Sequence, residues 1–188
     1  MKTYWIERPD QIRALSSPLR HEIGDRLAAQ GPLTVRELAA LLGMKPTAVY
    51  HHLKELEAVG LVRRAGERRE GGRPAITYRT VAPLMRMARA ARQKSNRKPL
   101  AQAGVAAATQ AGRDYEKGFA PGHWAIEGPG RNHWFFRLVT TPSKARLARI
   151  NKLLDELATL VWTPDPNPGP PMSVAWFLAP LAERKDDE

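Results

Sequence analysis

The 188 residues suffice for one or two small domains with their own cores, and 43% hydrophobic with 26% charged residues is ordinary for a globular protein. Thirty Lys and Arg against nineteen Asp and Glu leave a formal charge of +11, which favours polyanionic partners, nucleic acid ahead of an anionic membrane surface. The absence of cysteine excludes disulfides and thiolate metal sites; no apolar run approaches the roughly 18 residues that cross a bilayer, and Met1-Lys2-Thr3-Tyr4-Trp5 lacks the apolar stretch of a signal peptide, so a cytoplasmic protein is expected.

In chain order, Leu15, Leu19, Ile23 and Leu27 recur every four residues and predict one helical face ending near Gln30-Gly31-Pro32. Thr34 and Glu37 have the spacing of a capping box, opening a helix that carries Leu38, Leu41 and Leu42 and stops at Gly43. Pro46 suits a first helical turn, and Val49, Leu53 and Leu56 form the next apolar face up to Gly60. Two short helices joined by Gly43-Met44-Lys45 have helix-turn-helix spacing. Beyond Gly60 the period shortens. Leu61 to Ala65 and Ala75 to Val81 read as strands, with the basic, glycine-rich stretch Gly66 to Pro74 as the tip of a hairpin.

Residues 83–98 read as a basic helix broken by Pro99, and Leu100 to Phe119 as a second, Ala-rich helix. Alternation over Trp134 to Val139 predicts a strand buried on both faces or nearly so. Leu147, Ile150, Leu154, Leu157 and Val161, entered through Pro142-Ser143, give the longest helical signal; such a stripe could pack an antiparallel partner helix, but the preferred reading is that it covers the strands of its own domain. Val174 to Leu178 reads as a last strand, and the charged tail from Glu183 as frayed. The charge is uneven: residues 1–82 hold 14 basic and 9 acidic residues, 83–117 hold 8 and 2, and 118–188 hold 8 of each.

The succession Ala14 to Arg20, Leu33 to Ala39, Thr47 to Leu56, Gly60-Leu61-Val62, and Gly72-Arg73-Pro74 before Tyr78-Arg79 resembles the winged-helix core of ArsR-like regulators over residues 11–81. The resemblance implies an α+β fold. An N-terminal winged helix of three to four helices and a two-stranded wing (1–82) would precede a basic helical linker (83–119) and a small α/β C-terminal domain (120–188). It also implies a sequence-specific transcriptional regulator, most simply a repressor, acting as a homodimer on double-stranded DNA. Founding members of the family sense metals through Cys pairs or His/Asp/Glu sets. Here there is no Cys, and none of the five histidines pairs with another at i, i+4, so neither metal nor cofactor is expected.

With Val49, Leu53 and Leu56 facing inwards, the positions that reach bases are Thr47, Ala48, Tyr50 and His51, while Lys45 and Lys54 suit phosphates. His52, beside the core face, reads as structural. Arg68, Arg69 and Arg73 on the hairpin tip are expected on flanking backbone or in the minor groove, tempered by Glu67 and Glu70. Of Arg63 and Arg64, strand alternation turns at most one to DNA. A dimer interface is expected on Gln11 to Ser17 and within 83–119. Trp124, Trp134, Phe136 and Trp176 read either as core or as the lining of a small-molecule effector pocket. No nucleophile elbow, zinc-protease or phosphate-loop motif is present, so an enzyme is not expected. The competing function is a non-specific architectural nucleic-acid binder.

Overall fold

The computed structural model describes residues 3–120 and 122–181, in an α+β arrangement. The tail from Glu183 lies outside the described residues. A short strand β1 (Thr3–Trp5) leads into α1 (Pro9–Ala14) and α2 (Pro18–Gln30). Of the apolar four-residue repeat, Leu19, Ile23 and Leu27 therefore lie on α2, and Leu15 falls in the turn that follows α1. Pro18 occupies the first turn of α2, and the Ser17 hydroxyl accepts from Arg20 N, a combination that starts a new helix rather than continuing an old one. Side chains of α2 take up carbonyls freed at the corner: His21 Nδ1 donates to Leu15 O at 2.7 Å, and Arg20 donates to Ala14 O.

After β2 (Leu33–Thr34) comes α3 (Val35–Leu42), opened by the expected capping box. Glu37 N donates to Thr34 Oγ1 at 3.1 Å, and Thr34 N donates to Glu37 Oε2 at 2.8 Å. Gly43 ends α3 with a left-handed φ of 63°, a conformation that penalises other residues. Helix α4 (Pro46–Ala58) follows the three-residue turn.

Strands β3 (Val62–Glu70) and β4 (Arg73–Thr80) pair antiparallel, with β2 on the far edge of β4. They run further than the sequence suggested. The hairpin tip is only Gly71-Gly72, with φ of 57° and 81°, both positive as a two-residue type I′ turn requires. A bulge between Arg64 and Gly66 leaves Ala65 without a partner in β4.

The expected helix over 83–98 is absent. Leu84–Arg86 is instead a strand, β5, paired parallel with β1, and two 3-10 turns follow before α5 (Arg97–Lys117). Buried Asn96 ties this stretch to the N-terminal segment by donating to Glu7 O at 3.0 Å. Pro99 lies in the first turn of α5, where its missing N–H costs nothing, so it opens this helix instead of breaking one. One core unites these elements: Ile6, Ile12, Ile23, Leu27, Leu38, Val49, Leu53, Leu56, Leu61 and Tyr78 are all buried in it.

Strands over Trp134–Val139 and Val174–Leu178 are also absent among the described residues. Alternation sets which way side chains point, but a strand also needs a neighbouring backbone to accept its N–H groups, and neither segment is paired with one among the described residues. The regular element of this half is α6 (Lys144–Trp162), capped by Ser143, whose hydroxyl accepts from Arg146 N at 3.3 Å. No described helix is long and apolar enough to cross a membrane.

Candidate nucleic-acid interface

Helix α4 has a divided surface. Val49 and Leu53 are 0% exposed and Leu56 is 1% exposed, so one side is committed to the core. Lys45, Thr47, Tyr50 and His51 are exposed on the other side, and Ala48 is half-buried at its edge. Pro46 begins the helix and no side chain caps its first turn. That leaves a helix N-terminus beside the Lys45 ammonium, a combination that suits a phosphate.

Behind this surface stand charged side chains that the helix pattern did not single out. Glu55 gathers three partners: Arg20 of α2 forms an ion pair with it, His51 Nε2 lies 3.3 Å from Oε1, and His52 Nδ1 lies 3.9 Å from Oε2. One edge of the His51 ring thus lies beside the carboxylate while the side chain stays 72% exposed. His52 is tucked inwards, with Nδ1 buried and without a hydrogen-bond partner. Burial, followed by the charge of Arg20, holds its pKa below the ordinary histidine value of 6.5. Its structural reading agrees with this placement.

Lys54 is less free than its sequence position suggests. Its ammonium donates to Glu57 Oε2 at 2.8 Å and sits 5.5 Å from the centre of the Tyr50 ring. The Glu57 carboxylate also receives Arg64, at 3.3 Å, and these cations hold it below the usual carboxylate range. Arg64 therefore braces α4 against β3. Arg63 is exposed directly across from Arg79 of β4, and like charges at such a pair repel.

The wing separates its arginines in the same way. Arg68 donates to Glu37 Oε2 at 2.7 Å and to Pro32 O at 3.3 Å, so its guanidinium fastens the wing to the capping box of α3. Thr34 Oγ1 adds a bond to Glu70 at 3.4 Å. Arg69 and Arg73 are exposed beside the glycine turn and form no ion pair among the described residues. Of the nine positions expected at DNA, the structure leaves Lys45, Thr47, Ala48, Tyr50, His51, Arg69 and Arg73 outward, and engages Lys54 and Arg68 with carboxylates. Spacing could have found His51–Glu55 and Lys54–Glu57, at i, i+4 and i, i+3. Nothing local joins Arg20 to Glu55 or Arg68 to Glu37.

The basic residues Arg86, Arg89, Arg92, Lys94, Arg97 and Lys98 are all exposed, on β5, the 3-10 turns and the start of α5. Arg89 is stacked 3.8 Å over the Trp5 ring. Of the aromatic residues expected in a pocket, Trp124, Trp134, Phe136 and Trp176 are 46%, 58%, 63% and 37% exposed. Trp134 stacks on Phe136 with centroids 5.3 Å apart, and Trp124 meets Phe119 edge-on at 5.7 Å. A cavity of about 140 Å³ between α2, α5 and Ser173–Ala175, lined by His21, Asp25, Gln110 and Asp114, includes none of the four.

Residues 15–65 match the family described as "Helix-turn-helix domain". No curated protein matches the chain. Among solved structures, the crystal structure of RV1404 from Mycobacterium tuberculosis is similar at 19% identity, over 84% of this chain and 76% of that one. Its TM-score of 0.27 is too low to carry an argument about fold. Together, the family match and the helix pair that it spans show that the chain carries a helix-turn-helix DNA-binding domain within residues 15–65.

Proposed function

We propose that the protein is a sequence-specific transcriptional regulator, a repressor that acts as a homodimer on double-stranded DNA. Helix α4 enters the major groove, and the β3–β4 wing reaches flanking backbone or the minor groove. The observation that carries this reading is the divided surface of α4, whose inner side chains are wholly buried while Thr47, Tyr50 and His51 are offered outward at an uncapped helix start. A helix of these dimensions fits the major groove, and its early residues are the ones that meet base edges. No catalytic step belongs to this reading. A small organic effector acting through the aromatic segment around Trp124, Trp134, Phe136 and Trp176 is part of the proposal, and intrinsic tryptophan fluorescence titrated with candidate compounds tests it.

The competing reading, an architectural binder, draws on the net charge of +11. Capture and sequencing of bound genomic fragments, followed by anisotropy titrations on the recovered site and on scrambled duplex, separates the two. A regulator prefers its site by about 10³ or more. Equal affinity for both duplexes overturns sequence-specific regulation.

A further inference from the structure

Helix α6 is the only described helix with no buried residue. It runs for 19 residues, about 28 Å at helical rise. Leu147, Ile150, Leu154, Leu157 and Val161 follow one another at spacings of 3, 4, 3 and 4, the repeat of a coiled-coil seam. Leu153 and Leu160 widen that face and are 54% and 74% exposed. Most helical stability in proteins comes from packing an apolar face, and so broad an exposed apolar stripe marks a contact surface. The strands expected to cover it within its own chain are absent among the described residues.

Charge selects the occupant. The first half of α6 carries Lys144, Arg146, Arg149 and Lys152, and the second half carries Asp155 and Glu156. Only Lys152 and Glu156 form an ion pair within the helix, at 3.9 Å. A parallel partner of identical sequence would set four cations beside four cations. An antiparallel one sets the basic half beside the acidic half and opposes the helix dipoles head to tail.

We infer that α6 is the self-association helix: two copies of this chain pack antiparallel along the Leu147–Val161 seam. The inference deepens the homodimer part of the proposed function, but its test needs no DNA. Helix α1 and the buried face of α5 are spent inside the chain, through Gln11, Ile12, Leu15, Ala103, Ala106 and Gln110.

Sedimentation equilibrium of the full chain at micromolar concentration tests the inference, with the wild type expected at twice the chain mass. The double variant Leu154→Glu/Leu157→Glu replaces residues that are not buried, so it opens no core. It is expected to sediment as a monomer with the thermal transition of the winged helix retained. Ala148→Glu, on the opposite face of α6, is expected to remain a dimer. A monomeric wild type, a double variant that stays dimeric, or an Ala148→Glu chain that dissociates overturns the seam. Orientation follows from disulfide trapping in this cysteine-free chain. Lys144→Cys alone is expected to give no cross-linked dimer, while Lys144→Cys combined with Thr163→Cys gives one. Cross-linking by Lys144→Cys alone would establish a parallel pair instead. If the double variant binds a single half-site with unchanged affinity, the dimer and DNA-binding readings stand or fall separately.

Discussion

At the scale of single residues, the interface divides into groups free to meet DNA and groups that hold them still. In the proposed reading His51 is the side chain best placed to meet a base, with its ring beside Glu55 and Glu55 in turn paired with Arg20. His51→Ala is expected to lower affinity for the preferred operator by about 1–3 kcal/mol while flattening discrimination at one base position. Competition titrations over operator variants check this, and an unchanged ranking of variants rejects the role. His52 makes a different prediction. Its folded pKa is depressed, so on acidification the unfolded chain binds a proton first. Stability is therefore at its full value above pH 6.5 and falls as pH drops through the window below it. Urea midpoints at pH 7.5 and 5.5 should differ less in His52→Gln than in the wild type. Glu57, with a lowered carboxylate pKa, adds acid sensitivity only below 4.5 and leaves that comparison clean.

At the scale of elements, the wing combines a rigid base with two free cations. Arg68 belongs to the base, through Glu37 and the Pro32 carbonyl; Arg69 and Arg73 belong to the tip. Each true phosphate contact contributes about −0.9 to the slope of log affinity against log salt. Arg69→Ala and Arg73→Ala are each expected to reduce the slope by roughly that amount, while Arg68→Ala leaves it unchanged and lowers thermal stability. The tip itself is testable through its backbone. A Cβ at Gly71 or Gly72 would meet nothing within 4 Å, so any cost of Gly→Ala there arises from positive φ alone, about 1–2 kcal/mol per position. Differential scanning calorimetry on the two single variants measures it. Helix α4 is anchored more firmly: Leu53→Ala, at a fully buried position, should cost about 2–5 kcal/mol.

At the scale of the whole molecule, burial is unequally shared. The core draws on β1 through α5, from Ile6 to Ala103. Among the described residues from 122 onwards only His133 is buried, stacked 4.2 Å from Tyr115 on the last turn of α5 and set beside Phe119 just past its end. Slow amide exchange tracks buried, well-packed backbone. Amides of α4, β3 and β4 are expected to exchange slowly at every protein concentration. Those of α6 should become protected only as the dimer forms, which exchange measured by mass spectrometry over a dilution series would reveal.

By itself the sequence determined the helix-turn-helix and its inner face. Capping, turn and periodic signals act within a few residues of one another, and Thr34–Glu37, Gly43 and Val49–Leu53–Leu56 all agree. It also marked α6, whose apolar repeat and Ser143 cap are local. Tertiary structure alone decided what depends on distant partners. The β1–β5 pairing displaced the expected helix over 83–98, because an N-terminal strand some eighty residues away in sequence supplied backbone bonds. The break at Ser17-Pro18 divided a continuous apolar pattern because its carbonyls found side-chain donors across the corner. The aromatic run at Trp134–Val139 shows the converse: its pattern was that of a strand, but no neighbouring backbone paired with it. Which outward cations stay free was settled by Glu37 and Glu57, since whether a carboxylate reaches a guanidinium across the fold depends on three-dimensional separation that residue order does not encode.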